Sequence, residues 1–262
     1  MLSFAPSIAA LSLVQAALIL APRAAPSSLL IRLQSNSWAL LPPLSIVLVV
    51  GAIAYDSAFA DFLTYLALVA VPPLAALALA IVVRGGRPAL ALLVIPLFAI
   101  AWAARGSLGG ETAALALSAL ACVSLGWLLV CLVPARWLRL GIYAMAAIDA
   151  YLVGTSLLQE PNAVLNAAAP GGLPQLQFVS FGSAVMGFGD IFLAATLGAL
   201  LATDDRRLQL AGAALVAVFG LSFDLLFFAV DQLPATVPIA LALATLELAG
   251  RAGLRAGSRS IP

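Results

Sequence analysis

Four acidic residues stand inside long apolar stretches of the sequence: Asp149, Asp190, Asp224 and Glu247. A charged side chain at the centre of a bilayer costs about 2.5–3.5 kcal/mol on insertion scales, so each is a candidate for function. Glu247 precedes Arg251 by the spacing of a helical ion pair, and we interpret it as structural. Asp224 lies near the end of its stretch and is expected to be peripheral. Asp149 and Asp190 remain as the pair that could act in acid–base catalysis.

Two carboxyl groups that face each other in a medium of low dielectric cannot both ionise easily, and the usual outcome is one shared proton. One member of such a pair can activate a water molecule while the other protonates a carbonyl oxygen. Asp149 and Asp190 stand in successive apolar stretches, so antiparallel helices would let them meet across the bundle. The alternative is that each aspartate only forms a hydrogen bond to a neighbouring helix.

The residue types that are absent exclude other chemistries. The chain contains no His, and all 12 basic residues are Arg. A zinc metalloprotease motif, a Ser-His hydrolase and His-ligated haem all need His, while a retinal Schiff base and a Ser-Lys dyad need Lys. We therefore expect no metal and no cofactor.

The composition is that of a membrane protein. Of 262 residues, 64% are hydrophobic and 9% are charged, against roughly 25% charged residues in a soluble domain. The mean hydropathy is +1.16. The net charge of +1 offers no field that would attract nucleic acid.

Charges and Pro/Gly clusters divide the chain into stretches long enough to cross a bilayer core of about 30 Å. The predicted fold is all-α, a polytopic bundle of nine transmembrane helices in one membrane domain, residues 1–262. The nine predicted spans are 3–21, 38–54, 62–83, 88–104, 112–133, 137–158, 178–202, 208–230 and 234–250. Spans one to five, within 1–136, would form a scaffold, and spans six to nine, within 137–262, the catalytic part.

The arginines fall on alternate loops between these spans. Arg105 stands alone on one side, and eleven arginines stand on the other: Arg23, Arg32, Arg84, Arg87, Arg136, Arg139, Arg206, Arg207, Arg251, Arg255 and Arg259. Cytoplasmic loops carry the excess of positive charge, which places the N-terminus outside and the C-terminus in the cytoplasm. We expect a multi-pass protein of a prokaryotic plasma membrane.

Two glycines closely precede the second aspartate, in the sequence Gly187-Phe188-Gly189-Asp190. Each glycine costs about 1 kcal/mol relative to Ala inside a helix, so the pair indicates close backbone approach or local unwinding. A seam of small residues between packed helices is the alternative interpretation.

These residues resemble the GxGD motif of the presenilin and signal peptide peptidase group of intramembrane aspartyl proteases. Asp149 lies one helix earlier, where that family keeps its other aspartate. Pro234-Ala235-Thr236 is similar to the family's PAL motif, with Thr236 in the place of Leu. The resemblance implies catalysis by Asp149 and Asp190, and a substrate-positioning role for Pro234, Ala235 and Thr236.

The leading hypothesis is an intramembrane aspartyl endopeptidase that cleaves transmembrane segments or remnant signal peptides within the lipid bilayer. The predicted orientation is that of signal peptide peptidase, and this resemblance implies substrates with a cytoplasmic N-terminus. We expect no obligatory partner subunit. Two alternatives stay open. One is a proton-coupled secondary transporter that uses Asp149 and Asp190 as a proton relay, and the other is a catalytically inactive family member that binds helices.

Overall fold

The structure is a computed structural model that describes residues 3–23, 25–56, 58–169, 171–230 and 232–257. It is mostly helical. The α-helices are α1 (Phe4–Leu20), α2 (Ser28–Ile31), α3 (Leu41–Tyr55), α4 (Ala58–Leu77), α5 (Val94–Ala103), α6 (Leu108–Leu132), α7 (Ala135–Gly154), α8 (Gln159–Ala167), α9 (Phe188–Asp204), α10 (Arg206–Asp224) and α11 (Val237–Gly257). Short 3-10 helices precede α3 and α5 at Asn36–Leu40 and Pro88–Leu93 and follow α10 at Leu225–Phe228, and a π-helical turn, Ala78–Val82, continues α4.

Several of these helices are long and apolar, as a membrane-embedded protein requires. In the described part of the chain, 4 helices are long and apolar enough to cross a bilayer: Asn36–Tyr55, Ala58–Val82, Leu108–Leu132 and Arg206–Phe228. Helices α7 and α8 meet at a bend of 95° and would make a fifth crossing if they form one span. Shorter apolar helices cover Phe4–Leu20, Pro88–Ala103 and Val237–Gly250.

Helix α6 lies at the centre of the bundle and packs against α4, α5 and α9, while α1 packs against α9 and α10. Glycines permit the closest approaches. A Cβ atom at Gly126 of α6 would lie 2.8 Å from the Thr196 nitrogen of α9, and one at Gly198 of α9 would lie 2.6 Å from the Ile19 Cα of α1. Close packing of backbones through small residues is how helices associate in lipid.

Residues 178–187 correct the predicted seventh span. Instead of one helix over 178–202, the chain forms two antiparallel strands, β1 (Phe178–Phe181) and β2 (Ala184–Gly187), and the helix begins at Phe188. Gly182 begins the two-residue turn with a φ of 63°, a conformation that favours glycine. The described residues therefore form helices and one hairpin, and the prediction of a purely α-helical chain was wrong at this point.

Contacts between loops join helix ends that are distant in the sequence. The segments that follow α1 and α4 pair with each other at Pro22 and Val83. Arg139 of α7 lies 3.1 Å from the Asp204 carboxylate at the end of α9. The hairpin turn meets the other ends of α1 and α6.

Candidate active site

Asp190 lies in the first turn of α9, because the hairpin ends immediately before that helix. Its Oδ2 atom accepts a hydrogen bond of 3.1 Å from the Gly187 backbone nitrogen at the N-cap. A carboxylate in this position also complements the positive end of the helix dipole. The predicted seventh span, 178–202, would place Asp190 near the middle of a helix. This was wrong, because the residues before Asp190 form β2.

Asp149 lies five residues before the end of α7 at Gly154. Its Oδ2 atom accepts a hydrogen bond of 2.6 Å from the Thr236 hydroxyl and a longer one of 3.4 Å from the Thr236 backbone nitrogen. The Thr236 side chain is buried. The segment Pro234–Thr236, which directly precedes α11, thus packs against the first aspartate.

The structure brings the two predicted aspartates together. Asp149 and Asp190 are both half-buried, and they are close enough for their carboxyl groups to interact electrostatically. Helices α7 and α9 also contact each other directly. Two carboxyl groups that interact across packed helices repel each other when both are ionised, which favours a proton on one of them.

Gln15 of α1 is a site residue that the sequence interpretation did not include. Its side chain is 1% exposed, and its Nε2 atom lies 3.4 Å from the Asp190 carbonyl oxygen and 3.4 Å from the Ala235 carbonyl oxygen. One amide from the N-terminal half of the chain thereby connects the two segments that carry the predicted motifs. A lone Gln inside the first apolar stretch was the feature that could have identified it.

The motif glycines have different surroundings. A Cβ atom at Gly187 would lie 3.1 Å from the Asp190 Oδ2 atom, whereas a Cβ atom at Gly189 would meet no atom within 4 Å. Gly187 therefore keeps space for the Asp190 carboxylate. Gly189 borders open space, and between them Phe188 is half-buried and packs against the main core.

Strand β2 leads directly to Asp190 and pairs with β1 alone in the part of the chain that the structure describes. In an antiparallel pair, alternate residues direct their backbone groups away from the partner strand. The Gly187 nitrogen donates to Asp190, so Gly187 belongs to this outward set, as does Val185 two residues earlier. Val185 is 52% exposed.

The hairpin turn is held by two helices. The Gly182 nitrogen donates to the Glu111 Oε2 atom of α6 at 2.7 Å, and the Ser183 nitrogen donates to the Ser7 hydroxyl of α1 at 3.3 Å. These contacts fix the hairpin against the bundle beside the aspartates.

The remaining intramembrane acids lie elsewhere. The Ser12 hydroxyl donates to Asp224 Oδ1 at 3.2 Å, and Asp224 Oδ2 is buried with no hydrogen-bond partner among the described residues. Glu247 accepts a hydrogen bond of 3.2 Å from the Tyr143 hydroxyl and lies 3.9 Å from the Arg139 Nε atom. The predicted partner of Glu247, the Arg251 side chain, lies outside the described residues.

In the described part of the chain, no group of three or more His, Cys, Asp or Glu side chains could hold a metal ion. Comparison of the chain with family models, with curated proteins and with solved structures gives no match.

Proposed function

We propose that this chain is an intramembrane aspartyl endopeptidase in which Asp149 and Asp190 form the catalytic pair. The observation that carries the proposal is the convergence of three separate segments. Asp149 binds Thr236, and Gln15 binds the backbone of both Asp190 and Ala235. These contacts bring the two aspartates and the Pro234–Thr236 segment into one site.

In the proposed reaction, one carboxylate takes a proton from a water molecule whose oxygen attacks the scissile carbonyl carbon. The other, protonated carboxyl group donates its proton to the carbonyl oxygen. The tetrahedral intermediate then collapses, its C–N bond breaks, and the departing nitrogen receives a proton from the first aspartate. The proton of the new hydroxyl returns to the second aspartate, so the pair ends with the single proton that it had at the start.

A substrate helix hides its carbonyl groups in its own hydrogen bonds and must unwind before cleavage. The outer edge of β2 offers backbone groups at Val185 to an extended segment, which would pair with it as an added strand. This edge ends at Gly187, next to the Asp190 carboxylate.

Pro234 and Pro238 flank the start of α11 and lack backbone N–H groups, so the chain around Ala235 is suited to contact an unwound substrate.

We further propose the topology that the sequence predicts, with nine spans in a prokaryotic plasma membrane, the N-terminus outside and the C-terminus in the cytoplasm. Residues 1–136 would serve as the scaffold and residues 137–262 as the catalytic part, with Gln15 as a contribution of the scaffold to the site. Substrates would be transmembrane segments or remnant signal peptides, without an obligatory partner subunit.

A proton-coupled transporter is the second candidate, and the buried, unpartnered Oδ2 atom of Asp224 is the observation among the described residues that favours it. The two functions differ in their energy requirement. Purified protein in proteoliposomes is expected to cleave a signal-peptide-like substrate without any ion gradient. Solute flux that requires a pH gradient, with no cleavage product in the same vesicles, would favour the transporter.

A further inference from the structure

Three arginines from distant segments meet at the end of the bundle that the arginine pattern assigns to the cytoplasm. The segments after α1 and α4 run antiparallel, with the Arg23 nitrogen donating to the Val82 oxygen at 2.9 Å and the Arg84 nitrogen donating to the Ala21 oxygen at 3.0 Å. These backbone bonds place Arg23 and Arg84 beside each other. Both side chains are exposed.

Arg206, at the start of α10, is joined to the same place through Gln209. The Arg206 Nη1 atom donates to the Gln209 Oε1 atom at 2.6 Å. The Gln209 Nε2 atom donates to the Ile19 oxygen at 2.7 Å and to the Pro22 oxygen at 2.9 Å. One buried amide therefore holds the Arg206 guanidinium next to the segment that carries Arg23.

Nearby acidic residues do not neutralise this cluster. Asp204 binds Arg139 at 3.1 Å, and the Asp205 Oδ1 atom accepts a hydrogen bond from the Arg207 nitrogen at 3.2 Å. Asp205 caps α10 and keeps its charge, but neither carboxylate forms an ion pair with Arg23, Arg84 or Arg206 in the part of the chain that the structure describes.

The three guanidinium groups remain without a counter-charge in the part of the chain that the structure describes, since the ion pairs there both involve Arg139. Desolvation, followed by the charges of Arg206 and Arg23, lowers the pKa of Arg84. Arginine nevertheless stays protonated in proteins. Three like charges held together by backbone and side-chain bonds are therefore arranged to receive an anion.

We propose that Arg23, Arg84 and Arg206 bind the phosphate group of an anionic phospholipid. The apolar helix that precedes Arg84 ends at Val82, and Ile81 on its last turn is 55% exposed. A phosphate at the arginines would place an acyl chain along this apolar surface. Basic pockets between transmembrane helices bind anionic headgroups in this way, and the inference is independent of proteolytic activity.

Native mass spectrometry of the purified full-length chain in mixed micelles tests this proposal. The probes are phosphatidylglycerol and phosphatidylcholine with identical acyl chains, and inorganic phosphate as a competitor. We expect tighter binding of phosphatidylglycerol, and a loss of about fivefold in its affinity for each of Arg84→Gln and Arg206→Gln. Arg32→Gln is the matched control, because Arg32 is an exposed arginine from the same group of loops, and it should bind like the wild type.

Arg84→Gln is the most informative variant. The Arg84 backbone nitrogen donates to the Ala21 oxygen, and the substitution leaves this bond intact. Arg84→Lys, which retains the charge, should keep most of the affinity. Equal binding of the two lipids, or an equal loss in the Arg32 variant, would overturn the proposal. Complete competition by inorganic phosphate at the lipid's own concentration would overturn the lipid assignment and identify free phosphate as the ligand.

Discussion

Thr236 donates a hydrogen bond of 2.6 Å to Asp149, a residue 87 positions earlier in the chain. An apolar side chain such as Leu at this position could not make this bond. The Thr236 hydroxyl thus fixes the Asp149 carboxylate to the start of α11. In the proposed enzyme it acts as a positioning residue for one member of the catalytic pair.

Replacing Thr236 with Val, which keeps the shape and removes the hydroxyl, should impair catalysis. Hydrogen bonds to charged groups contribute about 1.5–3 kcal/mol, so we expect kcat/KM to fall by about tenfold to a hundredfold. Thr236→Ser should recover most of this loss. Thr245→Val is the matched control, because the Thr245 hydroxyl donates to the Leu241 oxygen of its own helix. Equal kcat/KM for Thr236→Val and the wild type would contradict a positioning role.

Gln15→Met should reduce kcat more than it changes KM, because the Asp190 and Ala235 carbonyl groups lose the amide that joins them. Buried polar groups left without partners also cost about 1–3 kcal/mol in stability. Gln209→Met separates the two effects. Gln209 is equally buried and donates to the backbone of α1 at the opposite end of the bundle, so its substitution should lower the melting temperature and leave kcat unchanged. A fall in kcat of the same size in both variants would show that Gln15 acts only through stability.

Gly198→Ala should destabilise the bundle by about 1–3 kcal/mol, since α9 and α1 would have to separate to accept the methyl group. The new Cβ atom would lie 2.6 Å from the Ile19 Cα atom, whereas a Cβ atom at Gly51 of α3 meets nothing within 4 Å. Gly51→Ala is therefore the control and should be at least as stable as the wild type. Thermal unfolding in detergent measures both. A Gly198→Ala protein with unchanged stability would show that α1 and α9 do not pack as described.

The proposed topology predicts which substrate direction the enzyme accepts. Reporter segments whose N-terminus is cytoplasmic should be cleaved, and the same segments inserted in the reverse direction should not. Western blots of cells that co-express enzyme and reporter compare the two, with reporter insertion verified separately. Preferential cleavage of reporters with the N-terminus outside would refute the predicted orientation.

The sequence was informative where cost and charge restrict the possibilities. Aspartates in apolar stretches are energetically costly, so Asp149 and Asp190 could be selected by their positions in the sequence. The segment at Pro234 was associated with them only through a family resemblance. The distribution of the arginines likewise predicts the side of the membrane on which each loop lies.

The hairpin and the contacts of Gln15 could not be predicted from cost and charge. The predicted span 178–202 is mostly apolar and long enough for a helix, and hydrophobicity alone does not separate a buried strand from a buried helix. The turn at Gly182-Ser183 and the β-branched and aromatic residues around it were the local indications of strands. The role of Gln15 could not be predicted from local sequence, because its partners Asp190 and Ala235 are 175 and 220 residues away in the chain.

If Asp149 and Asp190 act as one catalytic unit, cleavage of a signal-peptide-like substrate by purified protein in detergent must depend on both of them. Asp149→Asn, Asp190→Asn and the double variant are compared with Asp224→Asn, with expression and thermal stability measured for each. Residues that act as a unit are strongly non-additive. We therefore expect both single variants to fall to background, the double variant to be no worse, and Asp224→Asn to retain substantial activity. Full activity in either Asp149→Asn or Asp190→Asn, or loss of activity confined to Asp224→Asn, would contradict the account.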